Sequence, residues 1–112
     1  MITLPWPSKH LFTNTRAHWA VKAKHVKSAR TLANWETTIS KTKGDVLHLK
    51  FIPPHNKYDL HNIGAASCGK AYIDGVCDAL GVNDKSITVT EEIGPAEKPG
   101  RVEITITKGA SV

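Results

Sequence analysis

Apolar residues along the chain recur with two different periods, and the switches between them mark six elements. Ile2-Thr3-Leu4 reads as a short strand stopped by Pro5 and Pro7. Residues 8–15 form a polar loop in which Asn14 or Thr15 is placed to cap a helix. From Arg16 to about Ser40, Trp19, Ala23, Val26, Ala33 and Ile39 recur at near-helical spacing, Leu32 and Trp35 widen the stripe, and Gly44 ends it. Val46 to Ile52 then alternates, with Leu47, Leu49 and Phe51 on one side and His48 and Lys50 on the other. That is the pattern of a half-buried strand, closed by Pro53-Pro54.

Residues 60–80 carry a second helical pattern, clearest at Ile73, Val76, Cys77 and Leu80. Gly64, Gly69 and Gly75 weaken it, so a kink or a late start is expected. Ser86 to Glu91 and Arg101 to Thr107 read as two further strands, and the Gly94–Gly100 connection with Pro95 and Pro99 suits an antiparallel pair. The order is β-α-β-α-β-β, an α+β fold with a mixed sheet packed with helices, at least part of it antiparallel.

Length confines this order to one domain, residues 1–112, since a chain of 112 residues buries roughly 65% of its unfolded surface and builds one core. An apolar share of 40% and a charged share of 22% are those of a globular domain, which excludes a disordered tail. The net charge of +5 hides a division. Residues 9–43 hold eight bases and one acid, Glu36, for +7, whereas residues 44–112 hold seven bases and nine acids, for −2. A polyanionic partner for the basic third follows as an expectation.

No stretch reaches the ~20 apolar residues of a membrane span, and no basic segment followed by an apolar run opens the chain, so no signal peptide is expected. Cys68 and Cys77 fall in one expected helix, nine residues and ~13 Å of rise apart, too far for a disulfide. A reducing, cytoplasmic setting is expected. Zinc held by these cysteines with His55 and His61 would lack any Cys-x-x-Cys or His-x3-5-His pair, so buried structural thiols are the default.

The chemistry-bearing residues cluster around the second helix. Asp59 stands where a strand's proline exit meets that helix, and Asp84 stands just beyond the helix's C-terminal end. Lys70, Asp74 and Asp78, at i, i+4 and i+8, share one helical face. Converging carboxylates repel one another unless a divalent cation neutralises them. Hard oxygen donors select Mg²⁺ or Mn²⁺, which activate water and stabilise charge in phosphodiester cleavage. A neighbouring lysine stabilises a pentacovalent phosphate or protonates the leaving oxygen. The same letters also fit a helix cap at Asp59, a surface Lys70–Asp74 ion pair and a solvated Asp78.

Asp59-Leu60-His61-Asn62, Lys70-x3-Asp74, Asp78-Ala79-Leu80 and Asn83-Asp84-Lys85-Ser86-Ile87, taken in this order, resemble the signature of the RusA family: Asp-Leu-Asp-Asn, a Lys-x3-Asp helix with Asp-Ala-Leu, and Asp-Asp-x-x-Val. Leu4-Pro5-Trp6-Pro7-Ser8 is similar to the family's Pro-Pro-Ser start, so the likeness spans nearly the whole chain. RusA-type proteins are homodimeric, Mg²⁺-dependent endodeoxyribonucleases that resolve Holliday junctions in DNA recombination and repair, and many are encoded by phages and prophages. The resemblance implies a RusA-like fold and a bacterial or phage-infected host cell. It implies Asp59 and Asp84 as metal ligands, Lys70 as the catalytic lysine, Asp74 as a supporting acid and Asn62 as a site-shaping neighbour.

The sequence departs from the family at two ligand positions, where His61 and Asn83 replace aspartates, and in a longer stretch between Asn62 and Lys70. Imidazole suits Mn²⁺ or softer metals better than Mg²⁺, so a ligating His61 shifts the expected metal preference.

Lys22, Lys24, Lys27 and Arg30, beside His18 and His25, form a row on the first helix that fits either a phosphate track or a solvated basic face. Trp19 and Trp35 fit its apolar stripe, and Trp6 between two prolines is a candidate for the exposed surface. No group reads base edges, so binding selective for DNA structure is expected. Three function classes follow: a dimeric junction-resolving endonuclease, a DNA-binding module of the same fold with weakened catalysis, and a general flap or branched-DNA nuclease.

Overall fold

Alternation along the strands decides which side of the sheet is covered. A computed structural model of the chain describes residues 1–7, 19–55 and 69–108, with Trp19 and Asp84 described by backbone alone. Strands β1 (Ile2–Pro5), β2 (Val46–Ile52), β3 (Thr88–Ile93) and β4 (Arg101–Thr107) form one sheet in the order β1-β4-β2-β3. Leu47, Leu49 and Phe51 of β2 align in register with Ile106, Ile104 and Val102 of β4, and Ile104 and Val102 in turn face Ile2 and Leu4 of β1. These eight residues are all buried in one apolar cluster. The intervening positions carry Glu103, Lys50 and Glu92 side by side on the other face, where opposite charges alternate across three strands.

Two helices cover the apolar face: α1 (Trp19–Ser40) and α2 (Lys70–Leu80). Together with the sheet they make one α+β domain, built around a mixed four-stranded sheet and a single core cluster. Among the described residues, no helix is long and apolar enough to cross a membrane.

The expected antiparallel pairing of the last two strands is not formed. β2 lies between them, parallel to β3 and antiparallel to β4. The reason is the helix: α2 carries the chain back before β3 begins, and a crossover of that kind returns a strand parallel. The following connection then wraps over the end of β2, where Gly94 N–H donates to the Phe51 carbonyl and Glu97 N–H to the Pro53 carbonyl, each at 2.8 Å. Gly100, at φ 89°, makes the final turn into β4 against Pro54. β3 starts two residues later than its sequence pattern, because Asp84–Ser86 forms a 3-10 turn first.

Helix α1 departs from its expected stripe. The residues it buries are Ala29, Ala33 and Thr37, with Val26 and Leu32 half-buried, whereas Trp35 is 63% and Ile39 56% exposed. The cause lies opposite, at Gly75 in the middle of α2. A Cβ on Gly75 would sit 2.2 Å from the Arg30 carbonyl oxygen and 2.7 Å from Ala33 Cβ, so the crossing admits only small side chains. The bulky residues are thereby turned outward. Trp19's side chain lies outside the described residues. The helix stops at Ser40, as its pattern predicts, but Lys41 rather than Gly44 takes the left-handed conformation, φ 56°.

Helix α2 begins at Lys70, the late start its glycines suggested, and runs unbroken through Gly75. Ala71, Tyr72, Ile73, Val76 and Cys77 are buried. Gly81 closes the helix at φ 69°, where its N–H and that of Val82 cap the Asp78 and Cys77 carbonyls. Tyr72 anchors the helix to the first strand by donating to the Pro5 carbonyl at 2.8 Å. Trp6 is not an exposed residue: it packs edge-on against Phe51, ring centres 6.4 Å apart, on the border of the core.

Candidate active site

The face of α2 opposite its buried stripe presents Lys70, Asp74 and Asp78 in successive turns. With Arg30 of α1 and Asn83 beyond the helix end they line a depression of about 330 Å³. The structure therefore gathers four residues singled out in the sequence, Lys70, Asp74, Asp78 and Asn83, into one polar concavity. Asp84, next in the chain, opens the 3-10 turn at its rim, while its side chain lies outside the described residues. Asp59, His61 and Asn62 also lie outside the described residues.

The charges in the concavity are arranged as two pairs. Lys70 Nζ donates to Asp74 Oδ1 at 2.9 Å, one helical turn on, with the carboxylate three-quarters shielded and the ammonium half exposed. Arg30 reaches from α1 and grips Asp78 with two donors, Nε to Oδ2 at 2.5 Å and Nη2 to Oδ1 at 2.8 Å. This fork-on-carboxylate geometry is the strong form of an ion pair. The hydrogen bonds from Arg30, followed by its charge, hold the Asp78 carboxyl below its ordinary value, and the same contact drives the Arg30 guanidinium further up. Asp78 is thus tied to α1 rather than solvated.

Asn83 has a definite local task. Its Oδ1 accepts from the Lys85 N–H at 3.0 Å and caps the turn that contains Asp84. The aspartate that the resemblance would place here could accept the same hydrogen bond, so Asn83 makes the same turn with one negative charge fewer.

A divalent cation finds no complete donor set among the described residues: no three His, Cys, Asp or Glu side chains converge there. The two described carboxylates of the concavity, Asp74 and Asp78, each already face a base. The donors that the resemblance implies, Asp59 and Asp84, with His61 in the place of a family aspartate, would have to compose such a site by themselves. Cys77, buried, contributes to the wall of the concavity, and Cys68 lies outside the described residues.

Of the basic row on α1, Lys24 and Lys27 are exposed and Lys22 is half-buried. Arg30 differs from the expectation for it. Two of its donors are committed to Asp78, so it links the two helices instead of standing free toward a phosphate. Little in the local spacing signals this contact, since 48 residues separate the partners. The one available hint was Gly75 inside a helical pattern, which marks a close crossing. A second polar group lies on the open face of the sheet. His48 there meets Thr90 Oγ1 at 2.7 Å and Glu92 Oε1 at 3.0 Å, and the contact holds Glu92 below its ordinary value.

No protein-family model matches the chain. It is similar to an uncharacterized protein of Xylella fastidiosa (strain Temecula1), with 37% identity over 119 aligned positions that take in 95% of this chain and 74% of the relative. Identity at that level over nearly the full length is a sign of shared descent and a shared fold, and the chain belongs to the same family as that Xylella fastidiosa protein.

Proposed function

We propose that this protein is a RusA-like, homodimeric endodeoxyribonuclease that resolves Holliday junctions and other branched DNA with Mg²⁺ or Mn²⁺. The observation that carries this reading is the polar concavity along α2, lined by Lys70, Asp74, Asp78 and Asn83 beside Asp84 and against a basic helix. A cation bound by Asp59 and Asp84, with His61 as a third donor, would supply a polarised phosphate and an activated water.

The chain's own residues have separable tasks in this reading. Lys70, held by Asp74, sets its ammonium charge beside a phosphate oxygen entering the depression. Asp74 keeps that ammonium charged and in place. The Arg30–Asp78 clamp fixes the basic helix relative to the concavity, so that DNA held by Lys24 and Lys27 is held at a set distance from Lys70. Asn83 keeps the backbone turn that carries Asp84.

One observation favours a second reading, a structure-selective DNA-binding module without strong catalysis: both described carboxylates of the concavity are neutralised by bases, and the resemblance would have an aspartate where Asn83 stands. A metal titration with a synthetic four-way junction separates the two. Cutting supported by Mg²⁺ or Mn²⁺ is the expected result, with Mn²⁺ the better metal if His61 is a donor, and His61→Asp narrowing the difference. Binding without cutting in either metal selects the module, and an unchanged metal preference in His61→Asp removes His61 from the ligand set.

A further inference from the structure

The outer face of α1 carries the largest exposed aromatic side chain among the described residues, and its surroundings say what would cover it. Helical spacing of 100° per residue aligns Lys24, Ser28, Thr31 and Trp35 on one ridge, directly opposite the buried Ala29, Ala33 and Thr37, with Lys27 at its flank. Lys27, Ser28, Thr31, Leu32 and Trp35 line a shallow groove along this ridge. The one acid of the helix, Glu36, is rotated about 100° away from Trp35, on the half-buried flank. The ridge is therefore cationic at its N-terminal half, hydroxylated in the middle and aromatic at the end. From Lys24 to Trp35 it extends about 16 Å.

We infer that this face of α1 is a track for unpaired nucleotides, in which Trp35 stacks on a base while Lys24 and Lys27 meet the phosphates. The inference rests on the DNA reading above and deepens it by naming the surface and the single-stranded character of what it holds. Three features argue for this occupant. An indole offers a flat π face to any base, and successive stacking with phosphate neutralisation is the general design of sequence-tolerant single-strand sites. The absence of an acid on the ridge leaves nothing there to repel phosphates. A duplex presents its bases edge-on within grooves, whereas the open centre of a branched DNA presents faces, which are what a ridge-top indole can take.

A second copy of the chain fits the face less well. Two-fold pairing through α1 would enclose Lys24 and Lys27 of both protomers in one interface without an acid on the ridge to compensate. The apolar part, Trp35 with Ile39 and half-buried Leu32, is also a small fraction of the roughly 800 Å² that each side of a stable interface covers.

The test compares binding of a fluorescent 15-residue thymidine oligonucleotide and a duplex of equal length to the wild type, Trp35→Leu, Trp35→Phe and Lys24→Gln. Trp35 is 63% exposed and stands outside the core cluster, so these variants keep the fold, which far-ultraviolet circular dichroism verifies. Trp35→Leu is expected to weaken single-strand binding about five- to fifty-fold, with less than about two-fold change on the duplex and most of the loss restored in Trp35→Phe. Lys24→Gln is expected to lower the salt slope on the single strand by about 0.7.

Unchanged single-strand binding by Trp35→Leu overturns the inference while leaving the nuclease reading intact. So does equal weakening on duplex and single strand. A shift of sedimentation in Trp35→Leu with DNA binding unchanged assigns the face to a second copy. A wild type that binds a four-way junction but neither oligonucleotide overturns the inference alone, and one that binds none of the three overturns the DNA reading on which it rests.

Discussion

Arg30 and Asp78 illustrate how much one pair can set. The Arg30 side chain is about half and that of Asp78 about a third open to water, so the pair belongs with surface ion pairs, near the upper end of their ~0.2–1 kcal/mol because its geometry is bidentate. Its pH dependence follows from the carboxyl. Asp78 is held below its ordinary 3.8, so its stabilising contribution is complete above that pH and disappears as the pH falls through the lowered value. Asp78→Asn is therefore expected to cost about 0.5–1 kcal/mol at pH 7 in urea unfolding, and its deficit should shrink below pH 3.8 as the wild-type carboxyl protonates. A deficit of equal size at pH 7 and pH 2.5 would show that packing rather than charge makes the contribution. Residue roles of this kind were only half legible in the sequence. The i, i+4 spacing foretold the Lys70–Asp74 pair, and a local turn pattern foretold that Asn83-Asp84 lies just past the helix. Arg30–Asp78 joins distant segments, and no local spacing encodes it.

At the scale of elements, the strands were legible because burial alternates strictly with sequence: β2 and β4 have the predicted ends. Helix α1 was legible in extent but not in orientation. Its large apolar residues suggested a stripe through Trp35 and Ile39, whereas the helix buries alanines, because contact distance to α2 outweighed hydrophobic size. Pairing of β3 failed for a related reason. The connecting loop looked like a hairpin, but the neighbour of each strand is set by where α2 delivers the chain. Gly75 is the residue on which the helix crossing turns. Gly75→Ala gains nearly 1 kcal/mol of helix propensity, yet its Cβ would meet the Arg30 carbonyl at 2.2 Å, backbone against side chain with no rotamer to yield. A net loss of about 1–3 kcal/mol is expected in the urea midpoint, with Arg30 moved off Asp78. A variant as stable as the wild type would mean that the helices separate freely and that the crossing does not hold the site.

Over the whole molecule, the net charge of +5 resolves into a basic helix on one side of the concavity and an acidic helix on the other, joined by the Arg30 clamp. A chain of this size builds a single such concavity, and resolution of a four-way junction takes two opposed cuts, which is why the proposed enzyme acts as a two-fold dimer. The candidate site was legible as a set of residues near α2. Its completion depends on Asp59, His61 and Asp84, whose side chains lie outside the described residues. Cleavage of a synthetic four-way junction under single-turnover conditions by the wild type and by Asp84→Asn, each in Mg²⁺ and in Mn²⁺, tests the central claim most directly. Paired symmetrical cuts by the wild type, with loss of cutting but retained junction binding in Asp84→Asn, are the predicted result. Undiminished cutting by Asp84→Asn would contradict the site, and a wild type that binds the junction but leaves it whole in both metals would contradict the enzyme.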